Sequence, residues 1–502
     1  MTSSPGVAGA AAAALSGGDQ SRLGTKLPVR ERLARLLDAG TFVEDGLLAN
    51  AVKEGYPADG VVTGVGKVAG RTVAVIAHDP TVKAGSWGAL TVEKQVRILE
   101  RADRDLLPVF YLVDSAGGRL SEQMGFFPGR RGASRIFHLQ VALSGRVPQI
   151  CCLFGPSAAG GAYMPAFTDW VVMVEGNASM YLASPRVAEM VTGEKTSLEA
   201  MGGARLHTTE SGCADAACRD DAEAIRLAQA FFSYLPPAWT ETSPATEAAE
   251  PAEASWDGVL PTSARTPYDI RAVLDRIVDG GSFFEVKEAW AREMVVGFAR
   301  LEGKVIGVVA NQPMVRSGAI FVDSADKAAR FVTLCDAFNV PLLFLQDVPG
   351  FMVGVEMERR GIIRHGAKMI AAMSSAEVPK IAVVVRKAYA AGFYAMCAPG
   401  FEPLAVLALP SASIAAMGAQ AAVNAMYAGK IAELPEEGRA AFVAERTATY
   451  EEDVDLVHVS SELVVDAVVE PGSLRRELVQ RYESAARRVV RGQGRHHGAF
   501  PV

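Results

Sequence analysis

An internal duplication constrains the fold of this chain more than any other feature of its sequence. Residues 33–46 resemble residues 274–287, and residues 62–80 resemble residues 295–313. Matched positions stay between 241 and 231 residues apart, as in the pairs Asp38 and Asp279, Gly64 and Gly297, Pro108 and Pro341, Asp114 and Asp347, and Gly161 and Gly392. Two unrelated domains of similar composition would give drifting separations. The chain is therefore predicted to consist of two homologous halves.

The segment between the halves differs from both in composition. Residues 237–265 are rich in Pro, Ala, Glu, Ser and Thr, show no apolar period and are predicted to be a linker. The two domains would then cover residues 27–236 and 266–502. Residues 1–26 are rich in Ala, Gly and Ser but lack the charged start of a signal peptide, so a disordered leader is expected there.

Short apolar runs alternate with helical segments in both halves. The runs VFYLVD and PQICCLF of the first half have the counterparts LLFLQD and KIAVVV in the second. Such runs are typical of parallel strands that are covered on both faces. We therefore expect an α/β fold, with helices around a largely parallel sheet, formed twice. Each half opens with a helix that is predicted to end at Gly40 or Gly281, where glycine would form the C-cap.

Composition excludes several classes of protein. With 50 basic and 57 acidic residues the net charge is −7, which does not indicate a nucleic-acid or membrane surface. Six cysteines without a regular framework argue against a disulfide-stapled secreted protein, so a cytoplasmic location is expected. Cys213 and Cys218 are the one spaced pair that suggests a metal, but no second pair accompanies them and no metal site is predicted. Prolines and glycines interrupt the long uncharged stretches, so no transmembrane helix is expected.

Small residues directly follow a buried strand at the corresponding place in each half. They occupy residues 155–162 (GPSAAGGA) and the end of residues 386–392 (RKAYAAG). Glycine lets a backbone N–H approach a ligand closely, and the start of a helix leaves its first N–H groups unpaired. Two such groups form an oxyanion hole suited to an enolate or thioester oxygen. The alternative is that Gly160 and Gly161 merely allow close packing of helix on strand, but the repetition in both halves favours function.

Further glycine-rich turns follow the neighbouring strands, at residues 115–118 and 349–354. They are expected at the same edge of each sheet, because ligands bind beyond the carboxyl ends of parallel strands. Asp114 and Asp347 end those strands. Either carboxylate could be catalytic, although capping of the following loop is the commoner role. No nucleophile motif, GxGxxG pattern or P-loop is present.

Six motifs carry a resemblance to the carboxyltransferase (β) subunits of biotin-dependent acyl-CoA carboxylases, such as those specific for propionyl-CoA and methylcrotonoyl-CoA. The motifs are VDSAGG (113–118), GPSAAGGAY (155–163), TGEKTSLEAMGGARLHTTESGCAD (192–215), DVPGF (347–351), GIIRHGAKM (361–369) and RKAYAAGFYAMC (386–397). The resemblance runs from about residue 28 to the C-terminus. It implies two tandem crotonase-like (ClpP/crotonase) domains related by internal duplication.

The resemblance implies that backbone amides carry the catalysis. The amides of Gly160 and Gly161 would hold the thioester oxygen of an acyl-CoA and stabilise its enolate, and those of Ala391 and Gly392 would hold the ureido oxygen of biotin. Carboxybiotin would deliver CO2 to the α-carbon, or the vinylogous γ-carbon, of the acyl-CoA. The implied substrate-binding residues are Gly117, Gly118, Ala162, Tyr163, Phe351 and Tyr394.

Several partners are implied as well. Lys368 stands beside a methionine but in a helical pattern, so biotin is expected on a separate carrier protein rather than on this chain. An α subunit would supply that carrier and the biotin carboxylase, which uses ATP and Mg2+. The chain itself would form a homo-oligomer, usually a hexamer. The acyl group stays open, because the N-terminal motifs resemble methylcrotonoyl-type subunits and the C-terminal motifs resemble propionyl-type ones.

Three other functions compete with this interpretation. A biotin-dependent acyl-CoA decarboxylase of the same fold runs the half-reactions in reverse, and the sequence does not exclude it. A hydratase or isomerase would need a carboxylate at the enolate, and neither loop offers a Glu. An inactive scaffold would have lost the small residues that both loops keep. The sequence therefore favours a cytoplasmic acyl-CoA carboxylase subunit, an enzyme of fatty acid metabolism.

Overall fold

The computed structural model describes residues 6–263, 266–485 and 497–500. Parts of the predicted leader, linker and C-terminal domain lie outside the described residues, namely 1–5, 264–265, 486–496 and 501–502. The described residues divide into two compact units, one of residues 6–244 with 497–500 and one of residues 245–485.

The first unit holds eight strands and ten α-helices among its described residues. Its strands are β1 (Val43–Asp45), β2 (Val61–Val68), β3 (Arg71–His78), β4 (Val109–Ser115), β5 (Gln149–Ala158), β6 (Trp170–Val174), β7 (Ser179–Tyr181) and β8 (Ala216–Cys218). Its helices are α1 (Val7–Ser16), α2 (Val29–Leu36), α3 (Ala89–Asp105), α4 (Gln123–Phe126), α5 (Ala133–Leu143), α6 (Tyr163–Ala166), α7 (Pro185–Thr192), α8 (Leu198–Gly202), α9 (Ala204–Thr209) and α10 (Asp221–Phe232).

The second unit likewise holds eight strands and ten α-helices in its described part. Its strands are β9 (Phe284–Val286), β10 (Met294–Leu301), β11 (Lys304–Asn311), β12 (Leu342–Val348), β13 (Lys380–Tyr389), β14 (Ala405–Ala408), β15 (Ser413–Ala415) and β16 (Ala467–Val468). Its helices are α11 (Arg271–Leu274), α12 (Val322–Ala337), α13 (Val355–Arg359), α14 (Ile362–Ser375), α15 (Ala390–Ala395), α16 (Ala419–Met426), α17 (Ala428–Glu433), α18 (Glu436–Asp453), α19 (Leu456–Ser461) and α20 (Leu474–Ala485).

The two units have the same sheet topology. The first sheet has the order β1-β2-β3-β4-β5-β6-β8, with β7 paired to the end of β5. The second has the corresponding order β9-β10-β11-β12-β13-β14-β16, with β15 paired to the end of β13. The first three strands of each sheet are antiparallel neighbours, and all later pairs are parallel. The predicted duplication and the α/β class are thus confirmed.

The pattern of apolar residues explains these layers. Every residue of β4 and of β12 is buried, because helices cover the central strands of a parallel sheet on both faces. Helix α3 buries Val92, Val96 and Leu99, which recur at the helical period and turn one face toward the core. Within the described part of the chain, no helix is long and apolar enough to span a bilayer.

A buried lysine recurs at the same place in both units. The ammonium of Lys94 donates to the carbonyl of Ala58 at 3.0 Å, and that of Lys327, 233 positions later, donates to the carbonyl of Lys287 at 2.8 Å. Burial lowers the pKa of Lys94 to about 8 and that of Lys327 to about 7. Each lysine fixes its long helix to the turn that precedes the antiparallel strands.

The described part of the predicted leader contains one α-helix. Helix α1 forms because its alanine run has high helix propensity. After it, the amides of Gly18 and Asp19 donate at 2.9 Å to the hydroxyl and the carbonyl oxygen of Thr81. Thr81 lies 63 positions after Gly18, so hydrogen bonds to a distant part of the sequence hold the residues that follow the helix.

Part of the predicted linker packs on the second unit. The amide of Thr246 donates to the carbonyl of Gly303 at 3.0 Å, and the amide of Gly280 donates to the carbonyl of Glu250 at 2.9 Å. Val259 lies in the core of the unit. The segment adds backbone hydrogen bonds without forming helix or strand, so its sequence shows no apolar period.

Candidate active site

The first candidate loop begins where β5 ends. Ala158 is the last residue of the strand, and Ala159 turns the chain with a φ of 55°, a value that residues with a side chain rarely adopt. A single 3-10 turn over Ala159–Ala162 follows and leads directly into α6. The amide of Gly160 lies at the start of this turn, where N–H groups have no partner within the helix, and the amide of Gly161 follows at the third residue, which in a 3-10 turn donates to the residue before the turn.

The second unit repeats this loop at the end of β13. Tyr389 is the last residue of the strand, and Ala390 has a φ of 52°. Helix α15 starts at Ala390, so the amides of Ala391 and Gly392 belong to its first turn and lack intrahelical partners. Strained backbone at the same point of both units supports a functional role for the turn.

The space around the loop glycines differs between the units. A Cβ atom on Gly160 would meet nothing within 4 Å, so the space in front of this residue is open. A Cβ on Gly161 would lie 3.7 Å from the Ser157 hydroxyl, an ordinary contact. A Cβ on Gly392 would lie only 2.9 Å from the Cα of Gly350. Glycine is thus needed for packing at residue 392 and leaves room for a ligand at residue 160.

The glycine-rich turns after β4 and β12 lie beside these loops. A Cβ on Gly117 would be 3.4 Å from the carbonyl oxygen of Ala158, and one on Gly350 would be 3.9 Å from the Cβ of Ala390. Trp87 contacts the first turn through its carbonyl oxygen, which accepts a hydrogen bond from the amide of Arg119 at 2.8 Å. The expected gathering of turn and loop at the carboxyl edge is therefore found within each unit.

The second turn is held in the same way as the first. Trp87 donates its amide to the Gly117 carbonyl at 2.8 Å and forms a parallel bridge with Gly118. Ile320, 233 positions later, donates to the Gly350 carbonyl at 3.0 Å and forms a parallel bridge with Phe351. The predicted substrate-binding residues Gly118 and Phe351 therefore occupy corresponding positions.

The aromatic residues predicted to bind substrate stand beyond the loops. Tyr163 is 46% exposed and packs edge-on against Phe137, with ring centroids 6.2 Å apart. Tyr394 is 55% exposed and contacts Phe393. Ala162, before Tyr163, is half-buried. Both tyrosines thus present an apolar surface to any ligand that reaches the neighbouring amides.

Asp114 and Asp347 are buried in ion pairs, so neither is free to act as an acid or base. The carboxylate of Asp114 contacts the ammonium of Lys26 at 2.8 Å and the guanidinium of Arg32 at 3.2 Å. Asp347 accepts from Nε of Arg386 at 2.7 Å. The geometry supports a structural role of both carboxylates in buried ion pairs.

The cations of these two pairs come from different parts of the sequence. Arg386 stands at the position that corresponds to Gly155, where any Cβ would overlap the carboxylate of Asp114. Lys26 and Arg32 approach instead from the N-terminal segment, so their pairing with Asp114 has no local signal in the sequence. Neither residue could therefore be predicted from the sequence.

A buried histidine supports the first turn. Nε1 of Trp87 donates to Nε2 of His78 at 3.1 Å, and the two rings stack with an interplanar angle of 9°. Burial lowers the pKa of His78 to about 4, so the ring is neutral at physiological pH and accepts this hydrogen bond. His78 thus positions the residue that bridges to Gly118.

This arrangement favours stabilisation of oxygen anions by backbone donors. Each loop places two backbone N–H groups in the first turn of a helix, and no acidic residue or histidine lies within residues 159–163 or 390–394. In the described residues, no group of three or more His, Cys, Asp or Glu side chains is arranged to hold a metal ion. Chemistry at such a site would rest on polarising a carbonyl oxygen rather than on a protein acid or base.

Comparison with known proteins agrees with this chemistry. The carboxyl transferase domain model matches residues 21–500. The uncharacterized carboxylase YngE of Bacillus subtilis is 56% identical over 95% of this chain and 94% of its own length. The biotin-dependent 3-methylcrotonyl-coenzyme A carboxylase beta1 subunit of Mycobacterium tuberculosis is 38% identical over 93% of this chain and 90% of its own length.

A solved structure shows the same architecture. The transcarboxylase 12S structure, a hexamer with methylmalonyl-coenzyme A bound, superposes with a TM-score of 0.91 at 38% identity, over 98% of this chain and 96% of that one. The predicted crotonase-like fold is thereby confirmed. The chain belongs to the carboxyl transferase domain family.

Proposed function

We propose that this chain is the carboxyltransferase subunit of a biotin-dependent acyl-CoA carboxylase and moves CO2 from carboxybiotin to the α-carbon, or the vinylogous γ-carbon, of an acyl-CoA. The observation that carries the proposal is the repeated loop. Each unit ends a buried strand with a strained alanine followed by two amides in the first turn of a helix, at Gly160 and Gly161 and at Ala391 and Gly392. Two such loops suit a reaction in which two different carbonyl oxygens gain negative charge.

Each loop has its own task in this proposal. The amides of Gly160 and Gly161 hold the thioester oxygen and stabilise the enolate, for which the open space before Gly160 leaves room. The amides of Ala391 and Gly392 hold the ureido oxygen of biotin. Biotin, when bound, supplies the carboxyl group and the nitrogen that accepts the α-proton. No protein base is then required, in keeping with the absence of acidic residues from the two loops.

The surrounding residues shape the two binding sites. Gly117 and Gly118 bring the backbone of the first turn close to the loop that holds the thioester. Ala162 and Tyr163 contribute apolar surface beside the acyl group. In the second unit Phe351 and the half-exposed Tyr394 would play the corresponding part, with the ring of Tyr394 limiting the size of the group that fits.

The remaining components belong to partner proteins. Membership of the family implies biotin on a partner carrier, and we propose that an α subunit in the cytoplasm provides that carrier together with an ATP- and Mg2+-dependent biotin carboxylase. A homo-hexamer is proposed from the assembly of the transcarboxylase 12S structure. In that assembly the first half of one subunit would complete its site with the second half of another.

A labelling experiment tests the function and identifies the substrate. The purified chain is mixed with a biotinylated α subunit, ATP, Mg2+ and labelled bicarbonate, and acid-stable label is followed on acetyl-, propionyl-, butyryl-, methylcrotonoyl- and long-chain acyl-CoA. Label on one of them that disappears when the α subunit is omitted is the expected result. Failure of every acyl-CoA with several active α subunits contradicts the proposal, and CO2 release from malonyl-, methylmalonyl- or glutaconyl-CoA would then assign the decarboxylase.

A further inference from the structure

A strained turn follows β3 at the carboxyl edge of the first sheet. Lys83, Ala84 and Gly85 all have a left-handed backbone, with φ angles of 48°, 55° and 63°. The second unit repeats the turn at Arg316–Gly318, with φ angles of 48°, 57° and 73°. A residue with a side chain pays about 1–2 kcal/mol for this conformation. Both units keep the strain and place a cation at its first position, which points to a functional role for the turn.

The strained turn is bonded to the glycine-rich turn beside it. The amide of Ala116 donates to the carbonyl of Ala84 at 3.0 Å. A Cβ on Gly85 would overlap the carbonyl oxygen of Asp114, so the strained turn packs directly on the end of β4. Strands β3, β4 and β5 are neighbours in the sheet. The loop of Gly160 after β5 therefore lies two strands away, a spacing of about 10 Å.

Three cations gather around one aromatic ring next to this turn. The ammonium groups of Lys53 and Lys83 lie 4.0 Å and 4.7 Å from the centroid of the Tyr56 ring, and the guanidinium of Arg119 lies at 5.0 Å. The face of an aromatic ring attracts cations, but the cations repel one another. An anionic ligand that enters between them relieves this repulsion.

The carboxylates nearby leave one of these cations unbalanced. Arg119 pairs with Asp59 at 2.6 Å, and Lys53 pairs with Glu122 at 3.1 Å. No carboxylate of the described residues lies within 4.0 Å of the Lys83 ammonium. Three cations thus face two carboxylates, and the excess positive charge lies on an exposed lysine.

A cavity of about 420 Å³ opens beside Lys53. Leu120 and Met124 contribute apolar surface to it, and each is 80% exposed. Ligand sites commonly combine such apolar surface with a few charged groups at fixed positions. A cavity of this kind next to a cluster of cations suits a ligand that joins an aromatic base to phosphate groups.

We propose that Lys83, with Lys53 and Arg119 beside it, binds the phosphate groups of the coenzyme A part of the substrate, and that the cavity beside Lys53 takes its adenosine. The inference rests on the proposed function, which places the thioester at Gly160 and Gly161. The pantetheine arm then runs past the ends of β5 and β4 to the strained turn. Lysine binds phosphate as a point charge, so this site holds the coenzyme and leaves the choice of acyl group to the residues around the thioester.

Two substrates that differ only beyond the pantetheine arm test the proposal. The chain is assayed with a biotinylated α subunit on the acyl-CoA identified by labelling and on the matching acyl-pantetheine, which has no phosphate. Lys83→Gln should raise the KM for the acyl-CoA about tenfold, because one cation–phosphate contact is lost, and should leave the KM for the acyl-pantetheine as it is. Lys83→Arg, which keeps the charge, should restore the lower KM.

The matched control is Lys67→Gln. Lys67 is also an exposed lysine of the first unit, but it pairs with Thr72 at the start of β3, at the opposite edge of the sheet. Its substitution should leave the KM for both substrates unchanged. An unchanged KM for the acyl-CoA in Lys83→Gln, or an equal rise of the KM for both substrates, would overturn the proposal.

A binding measurement separates this site from the proposed reaction. The full-length chain is titrated with adenosine 3′,5′-bisphosphate, and Lys83→Gln should weaken its binding about tenfold. This loss supports the site even where no acyl-CoA is carboxylated. Binding that Lys83→Gln leaves unchanged overturns the site even where carboxylation is found. Inorganic phosphate that binds as tightly as the bisphosphate would assign the cations to free phosphate and overturn the link to coenzyme A.

Discussion

Gly392 and Gly160 occupy similar loops but differ in what an added Cβ atom would contact. At residue 392 the Cβ would lie 2.8 Å from a methyl carbon of Val348 and 2.9 Å from Gly350 Cα, so the loop must move to accept it. At residue 160 it would enter open space. Ala391, which corresponds to Gly160 at a separation of 231, already carries a Cβ in the second unit.

Gly392→Ala is predicted to impair catalysis by displacing the second loop. We expect kcat/KM for carboxyl transfer to fall by about 10²-fold, the cost of losing one oxyanion donor. The control is Gly400→Ala, where the added Cβ meets nothing within 4 Å in the same unit. Steady-state kinetics of both variants provides the measurement, and equal activities would contradict the prediction.

Gly160→Ala is predicted to weaken the binding of acyl-CoA while leaving the stability of the fold nearly unchanged. The unfolding free energy should change by less than about 1 kcal/mol, since the methyl group meets no protein atom. The KM for the acyl-CoA should nevertheless rise, because the methyl group occupies the space proposed for the thioester. Urea unfolding and acyl-CoA titration measure the two effects, and an unaltered KM would argue against a ligand at this loop.

His78 is predicted to make stability depend on pH. Its pKa of about 4 in the folded chain lies below the ordinary 6.5, so the unfolded chain binds more protons between these values and stability falls as the pH is lowered through them. The loss amounts to about 3 kcal/mol for a shift of this size. The test variant is His78→Asn, which introduces the residue type found at the corresponding position of the second unit, Asn311. Urea midpoints from pH 7 to 4 should fall less in the variant, and parallel curves would exclude the histidine as the cause.

At the scale of elements, both units place a buried carboxylate at the end of a central strand, but the cations that pair with it come from different parts of the chain. Asp347 depends on Arg386, which comes from the adjacent strand β13. Asp114 shares two cations, Lys26 and Arg32, which come from the N-terminal segment. The same charge is therefore neutralised within the sheet in one unit and from outside it in the other.

This difference predicts unequal costs for removing a cation. Arg386→Met removes the nearer of the two cations beside Asp347, leaves Lys387 at 3.5 Å and should cost about 3–5 kcal/mol, as for other buried pairs that lose one partner. Lys26→Met should cost less, because Arg32 remains beside Asp114. Urea unfolding of the two variants tests this order, and a larger loss in Lys26→Met would reverse our interpretation.

Element boundaries show where sequence analysis succeeded and where it failed. The central strands were predicted because apolar runs report burial on both faces, a property of the local sequence. The first helices were expected to end at Gly40 and Gly281 but end at Leu36 and Leu274. The carboxylate of Asp38 accepts from the amide of Gly70 at 2.7 Å, and Asp279 accepts from that of Gly303 at the same distance. These contacts with the hairpin turn stop the helix early, and no local pattern announces them.

The candidate site could likewise be predicted only where its residues directly follow a strand. The loop glycines, the turns and the aromatic residues follow strands, so their place at the carboxyl edge comes from topology alone. The supporting side chains Lys26 and Arg32 reach Asp114 across 88 and 82 positions of sequence, and His78 contacts Trp87 nine positions away without a motif that marks the pair. Their contacts depend on the fold as a whole.

At the scale of the whole molecule, we propose that the two homologous units have divided one reaction between them. Each unit has kept the strand, the strained alanine and the two amides that follow it, while the residues around them have diverged. Duplication explains why the chain needs no separate catalytic base and no metal in the proposed chemistry. In this proposal each half provides a carbonyl-oxygen site, and the two ligands supply the reacting atoms.

The most direct test of this central claim is carboxyl exchange between free biotin and the carboxylated product of the acyl-CoA identified by labelling, with the purified chain alone. Label should pass from the product to biotin without ATP or an α subunit. Gly160→Ala should raise the KM for the acyl-CoA and leave that for biotin unchanged, and Gly392→Ala should do the opposite. If both variants altered the same KM, or if no label passed at all, the division of the reaction between the two loops would be wrong.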